Sequence, residues 1–187
     1  VLITDYVWPS LEPERAVPAK VGACSTENAT THFVVRDTAG NVVSATQSIG
    51  GDFGAGEVVD GTGLVMNDRT WWMALADSPN MVAPLHRANI GHAPTIVFAD
   101  GEPWIALGSP GGFGIVQYVL QVLVNVIDYG FDIQSAIEAP RFRIEDLDRT
   151  ISLESRIADE TLDTLRRWGY DVTAFRPWTD CVGGVEA

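Results

Sequence analysis

The sequence predicts an α+β fold with largely antiparallel sheets, because its strand patterns come as hairpins and its helical patterns come in pairs. A chain of 187 residues, 46% hydrophobic and 20% charged, has ordinary globular composition and the length to bury a core. That apolar content excludes long disorder.

The first 29 residues carry three prolines and few periodic apolar positions, and read as a loop-like lead-in. From Thr30 the pattern becomes dense. THFVVR and VVSATQS are strands, joined by DTAGN into a hairpin with Gly40-Asn41 near its tip. GGDFGAGEVVDGTG follows as a loop with six glycines, and LVMN reads as a short buried strand. The stretch from Arg69 to Ala93 has no clean period and is expected to be a long functional loop. PTIVFADGEPWIALG is a second hairpin turning at Asp100-Gly101. After SPGGFG comes the clearest helix, with Ile115, Val116, Val119, Leu120, Leu123, Val124 and Ile127 on one broad stripe, ended by Gly130. A short helix from Ile133 is capped by Asp132 and stopped by Pro140. Strands are expected around RFRI and ISLE, then a helix over about 160–168 ending at Gly169, and a last strand in YDVTAF.

Twelve Lys+Arg against 25 Asp+Glu give a net charge of −13. A basic nucleic-acid-binding surface is thereby disfavoured, since neutralising phosphates needs clustered cations, and so is an anionic membrane surface. No apolar run is long enough for a spanning helix. Cys24 and Cys181 are far apart without a CxxC, so two cysteines leave the redox compartment undecided, with cytoplasm and periplasm both open. His32, His86 and His92 lack ligand-spaced partners, and no calcium-loop pattern occurs, so no metal site is expected. Asn28-Ala29-Thr30 fits a glycosylation sequon, a match frequent by chance.

Three segments carry candidate chemistry. The Gly-rich loop lacks GxxxxGK[ST] and opens no helix, so it reads as a flexible loop rather than a phosphate cradle. SPGG at 109–112 is no nucleophile elbow, because Leu107 stands where that motif needs glycine. Its two Gly amides before a helix would suit developing negative charge; a tight strand-to-helix turn explains the spacing equally well. Thr30-Thr31-His32 lies where loop gives way to strand. A Thr inside a chain is a poor nucleophile, but a cut just before it frees an α-amine, of pKa about 7.7–8.0, to act as its base.

Taken in order, TTHFVVRDTAGNVVSATQS, GTGLVMND, APTIVF, GSPGG and VLQVLVNVIDYGFDIQSAIEAPRF resemble the small, catalytic subunit of γ-glutamyltransferases. The likeness runs from about Thr30 to the C-terminus. It implies the αββα sandwich of N-terminal-nucleophile (Ntn) hydrolases, an autocleaved precursor, no cofactor, and an acyl-transfer reaction. Thr30 would be nucleophile and N-terminal base, Ser48 its hydroxyl partner, and Gly111 and Gly112 the oxyanion-hole amides. Residues 1–29 would be the tail of the large-subunit segment and 30–187 the catalytic region, C-terminally incomplete. Implied partners are the rest of the precursor, a small-molecule amide and a homodimer of processed heterodimers.

Asn67, Arg69 and Trp72 fall at the substrate-binding positions that the resemblance implies. The family holds the γ-glutamyl amine and carboxylate with an Asn, a Gln or Glu, an Asp and a Ser-Ser pair. The aligned positions here are Gly50, Arg69, Trp72 and Ile90-Gly91. Arg69 would repel an ammonium and attract a carboxylate, so the expected acyl group is anionic or polar and lacks the α-amine. Oxamate-type amidohydrolases and cephalosporin-type acylases are the neighbouring substrate classes; a catalytically silent binding protein is the rival reading.

Overall fold

The computed structural model describes residues 29–73, 79–87, 90–144 and 149–187. Nearly all of the lead-in, including Cys24 and Asn28, lies outside the described residues, as do parts of the long loop. Strands Thr30–Arg36 (β1) and Val42–Ser48 (β2) pair antiparallel from Thr30↔Ser48 to Arg36↔Val42. Asp37 closes their turn by accepting from the amides of Ala39 and Asn41, both at 2.9 Å. Thr95–Ala99 (β3) and Glu102–Leu107 (β4) form the second hairpin. Its turn residues Asp100 and Gly101 both have left-handed φ, +52° and +85°, as a two-residue primed turn requires.

The SPGG segment passes through a short 3-10 turn, Gly112–Gly114, into helix Ile115–Ile127 (α1). Helix Ile133–Glu138 (α2) begins where Asp132 Oδ1 accepts from the Ser135 amide at 3.0 Å. Strands Phe142–Ile144 (β5), Thr150–Glu154 (β6) and Asp171–Phe175 (β7) form a third sheet in the order β5-β6-β7. β5 and β6 are antiparallel, but β6 and β7 are parallel. Helix Asp159–Arg167 (α3) supplies the crossover that this parallel pair needs, and the other pairings are antiparallel, so the sheets are largely antiparallel as expected.

Two expectations are corrected. LVMN is not a buried strand: it contributes one isolated bridge, Val65 to Val58, and Leu64 is 66% exposed. Gly61 and Gly63, both at φ +73°, turn the chain back so that 55–59 and 64–66 pair irregularly outside the core. The α1 stripe is also half misplaced. Ile115, Tyr118, Val119 and Val122 are buried, whereas Val116, Leu120 and Ile127 are exposed. A seven-residue apolar stripe covers two adjoining helix faces, and only one of them meets β4 and the C-terminal segment. Tyr118 joins that face because its hydroxyl finds the Cys181 carbonyl at 3.3 Å.

The main core gathers Leu107, α1, Ala136, Phe175, Cys181, Val182 and Val185; a smaller one packs Ile151 and Leu153 against Leu162 of α3. Arg141, nearly buried, ties these parts together. Its Nε donates to Val182 O (3.0 Å), Nη2 to Gly183 O (2.9 Å) and Nη1 to Ile137 O (2.5 Å). Its backbone amide donates to the buried Glu154 Oε2 at 3.1 Å, while Glu154 Oε1 accepts from the Thr179 amide. On the far side of α1, Gln117 and Gln121 reach the edge strand. Each amide group both donates to and accepts from one residue of β5, Gln117 pairing with Ile144 and Gln121 with Phe142.

Candidate active site

The first residue of β1 faces the last of β2. Thr30 Oγ1 donates to Ser48 Oγ at 2.9 Å, and Ser48 Oγ also accepts from the Gly50 amide at 3.1 Å. Ahead of Thr30 the ladder continues, with Ala29 N donating to Gly50 O (3.0 Å) and Ile49 N to Ala29 O (3.3 Å). The Ala29–Thr30 peptide therefore lies fixed in extended backbone beside the two hydroxyls.

Gly50 is glycine for two reasons. Its φ is +96°, and a Cβ there would stand 1.6 Å from Asp68 Oδ1. The Asp68 carboxylate instead accepts from the Gly51 amide at 3.1 Å, and the Asp68 amide donates to Ile49 O. This staple brings the 67–72 segment to the end of β2. Asn67, exposed, uses Oδ1 to accept from the Arg69 amide at 3.1 Å, so it serves as a turn former for the 3-10 helix Arg69–Trp72.

Arg69 is only 8% exposed. Its Cδ lies 3.4 Å from the place a Gly50 Cβ would occupy, and its guanidinium stacks 3.8 Å from the Trp72 ring centre. Trp72 in turn stacks on Phe113, with centroids 4.3 Å apart at 21°. Arg69 Nη2 lies 3.1 Å from His92 Nε2. An arginine only donates, so Nε2 accepts and the His92 proton sits on Nδ1. Burial and the Arg69 charge hold the His92 pKa below its ordinary value, and burial also lowers that of Arg69.

The SPGG segment arrives from the other side. Ser44 Oγ donates to Leu107 O at 3.1 Å, and Gly108 packs so tightly on His32 that a Cβ there would lie 2.3 Å from the ring. His32 is itself buried, bonded to Thr46 Oγ1 at 2.8 Å, and burial lowers its pKa. Thr30 and His32 share one face of β1. β4 therefore delivers the chain past Ser44 and His32 toward the Thr30–Ser48 end. The opposite flank of Gly108 pairs with Glu186 through two backbone bonds, 3.0 and 2.9 Å.

Gly111 and Gly112 differ in why they are glycines. At Gly111 φ is +128° and a Cβ would press on the Tyr118 ring at 2.7 Å. At Gly112 φ is +59° but the space is open. Gly112 opens the helical turn, where first amides have no intrahelical acceptor. Ser109 is fully buried with its hydroxyl on Pro110 O, consistent with its exclusion as a nucleophile. Gly91 lies against the Gly112 carbonyl, 3.0 Å from a would-be Cβ, and beside Phe113 Cα at 3.6 Å.

The structure thus brings Thr30 to Ser48, and Arg69 to Trp72 and Phe113, with Gly50 touching both groups. His92, Phe113 and Asp68 belong to the cluster but were missed in the sequence. Phe113 stands directly after the glycine pair, which was the one available signal. His92 had none, since its partner lies 23 residues away.

The family model described as gamma-glutamyltranspeptidase matches residues 8–185. The chain is 35% identical over 156 residues to the glutathione hydrolase proenzyme of Escherichia coli K12, covering 78% of this chain and 27% of that protein. It is 36% identical over 164 residues to the acylase ACY 1 proenzyme of Pseudomonas sp. SE83, covering 87% and 29%. Its fold matches the γ-glutamyltranspeptidase of Pseudomonas nitroreducens solved with L-DON, at TM-score 0.71 and 30% identity, covering 83% of this chain and 86% of that one. The chain spans little more than a quarter of the length of the curated relatives it matches. With the α+β architecture they share, these matches place the chain in the γ-glutamyltranspeptidase family.

Proposed function

We propose that this chain is the catalytic portion of an amide hydrolase or acyltransferase whose nucleophile is Thr30, released by self-cleavage of Ala29–Thr30. In this reading, residues 1–29 end the large-subunit segment of a precursor and residues 30–187 belong to the small subunit. The carrying observation is the Thr30 Oγ1–Ser48 Oγ bond of 2.9 Å, with Ser48 anchored by the Gly50 amide.

In the precursor, Thr30 Oγ attacks the Ala29 carbonyl, the peptide nitrogen leaves as the new α-amine, and water hydrolyses the resulting ester. The free amine then takes the Oγ proton as Thr30 attacks an amide substrate. The oxyanion of the tetrahedral intermediate falls to the Gly111 and Gly112 amides; a single such donor typically contributes about 10²–10³ in rate. The proton passes to the departing amine, leaving an acyl ester that water or an acceptor amine resolves.

One feature supports an acyl specificity other than γ-glutamyl: Trp72 and Ile90-Gly91 offer no carboxylate or hydroxyl to a substrate ammonium. The test is expression of the full precursor, followed by intact mass and N-terminal sequencing. A new chain beginning at Thr30, absent in Thr30→Ala, is expected; a wild-type precursor that never cuts would establish the silent, binding-protein reading instead.

A further inference from the structure

Three consecutive backbone amides follow Ser48, and each has an oxygen to hold. Ile49 N donates to Ala29 O at 3.3 Å, Gly50 N to Ser48 Oγ at 3.1 Å, and Gly51 N to Asp68 Oδ1 at 3.1 Å. The first of these oxygens is the carbonyl of the peptide bond that precedes Thr30. Ala29 N in turn donates to Gly50 O at 3.0 Å, so Ile49 and Gly50 together face Ala29 alone. The β2 side thus carries one extra residue, a bulge of the kind that re-aims groups beside active sites. Gly50 permits it through its φ of +96°, and Asp68 N clamps the Ile49 carbonyl at 3.0 Å. The Ile49 amide is therefore held on both sides and aimed at one atom, Ala29 O.

At 3.3 Å this bond is long for a neutral carbonyl, where about 2.9–3.0 Å is usual. Bonds to an oxyanion are shorter, about 2.7–2.9 Å, and roughly twice as strong. The contact is weak in the ground state and strengthens as charge develops on the oxygen, which is the difference in binding that lowers a barrier.

Resting on the self-cleavage reading above, we propose that the Ile49 backbone amide is the oxyanion donor for cutting Ala29–Thr30, separate from the Gly111–Gly112 pair assigned to substrate. Thr30 Oγ bonds to the Ala29 carbonyl carbon while the π pair moves onto Ala29 O, facing the Ile49 N–H. The C–N bond then breaks. Its electron pair and the former Oγ proton end on the Thr30 nitrogen, and Ala29 is left as an ester of Thr30 for water to hydrolyse. The departing Ala29 takes the acceptor of Ile49 N–H with it, so each molecule uses this donor once.

Removing the N–H alone tests the assignment. Lactic acid puts an ester oxygen where alanine has its N–H; it is introduced by nonsense suppression into the full precursor, and cutting is timed on gels. Ile49→lactate is expected to cut about 10²-fold or more slowly than Ile49→Ala. Gln47 supplies the control. Asp37 N to Asn41 O and Ile49 N to Ala29 O bracket the ladder, and its alternation makes Gln47, opposite Thr31, the next donor from β2. Gln47→lactate removes that bond and is expected to cut as fast as Gln47→Ala. Equal rates for Ile49→lactate and Ile49→Ala overturn the proposal. Equal slowing by Gln47→lactate does the same, because it would reduce the effect to ladder strength. Ile49→Pro, which also lacks the N–H, is the second variant should the ester not fold, and a folded Pro variant that cuts as fast as Ile49→Ala is equally fatal. A wild-type precursor that never cuts overturns the self-cleavage reading and this proposal together, whereas a wild type matched by its Ile49→lactate variant overturns this proposal alone.

Discussion

Ser48 illustrates how much rests on a single hydroxyl. It is the cross-strand neighbour of Thr30, so β-register alone sets the pair, and a one-residue slip would send the two side chains to opposite faces. Replacing Ser48 by Ala removes the acceptor of the Thr30 hydroxyl and strands the Gly50 amide. One such bond is worth about 1–1.5 kcal/mol, so self-cleavage and acylation should each slow roughly tenfold. Ser48→Thr, which keeps the oxygen, should retain most of both. Time courses of precursor cleavage on gels, with wild type alongside, check this; equal rates for Ser48→Ala would remove Ser48 from the chemistry. At this scale the sequence pointed to Thr30, Ser48 and the glycine pair through the family resemblance, since local spacing alone reads as a strand threonine pair and a tight turn. It was silent on Asp68 and His92, whose partners are brought near only by the fold.

Elements were legible where one turn or cap decides them. Asp100-Gly101, Asp132 and Gly130 each mark a boundary by local backbone chemistry, and both hairpins, α1 and α2 follow. The misplaced α1 face came from apolar counting, which cannot tell which of two adjoining faces meets the core and passes over a tyrosine. The same helix shows what pattern reading misses altogether. Gln117 and Gln121, one turn apart, offer β5 the donors and acceptors a neighbouring strand would. They blunt an exposed edge that would otherwise template pairing with another chain. The double variant Gln117→Ala/Gln121→Ala should fold yet associate, and light scattering at rising concentration would show it; a monodisperse variant would mean the edge needs no such cover. Arg141 has a larger role. Its guanidinium satisfies three backbone carbonyls, two of them at Val182 and Gly183, the end of a 3-10 turn that backs Gly111. Arg141→Ala should cost about 3 kcal/mol, read by urea unfolding, and lower kcat more than KM through the loosened turn. Arg141→Lys should not rescue it, because a single ammonium cannot span three acceptors.

For the whole molecule, the α+β class and the family were legible because their signals are spread along the chain. The parallel β6–β7 junction was not, since strand direction depends on where α3 packs. The acid response is likewise a property of the assembled fold. His32 and His92 both have folded-state pKa values below the ordinary 6.5 because burial disfavours their charged forms. Between those lowered values and 6.5 the unfolded chain binds more protons, so stability is complete above about pH 6.5 and declines as pH falls through the folded values. Asp37 and Asp132, lowered from 3.8 by hydrogen bonds, contribute losses only at lower pH. Melting temperatures at pH 7.5, 6.5, 5.5 and 4.5 should therefore fall in two stages, and His32→Gln should flatten the first; an unchanged slope would rule His32 out as its source. One ring described above also limits how this protein can change. Tyr118 fills the space that side chains at 111, 114 and 183 would need. Gly111 and Gly183 are further confined by positive φ, whereas Gly114 sits at ordinary helical angles, φ −74° and ψ −15°, and is held to glycine by the ring alone. The order of substitution then matters: Gly114→Ala should be severely destabilising by itself and nearly neutral after Tyr118→Leu. A lineage can reach the pair by one of its two routes, and a double-mutant cycle would measure the barrier on the other.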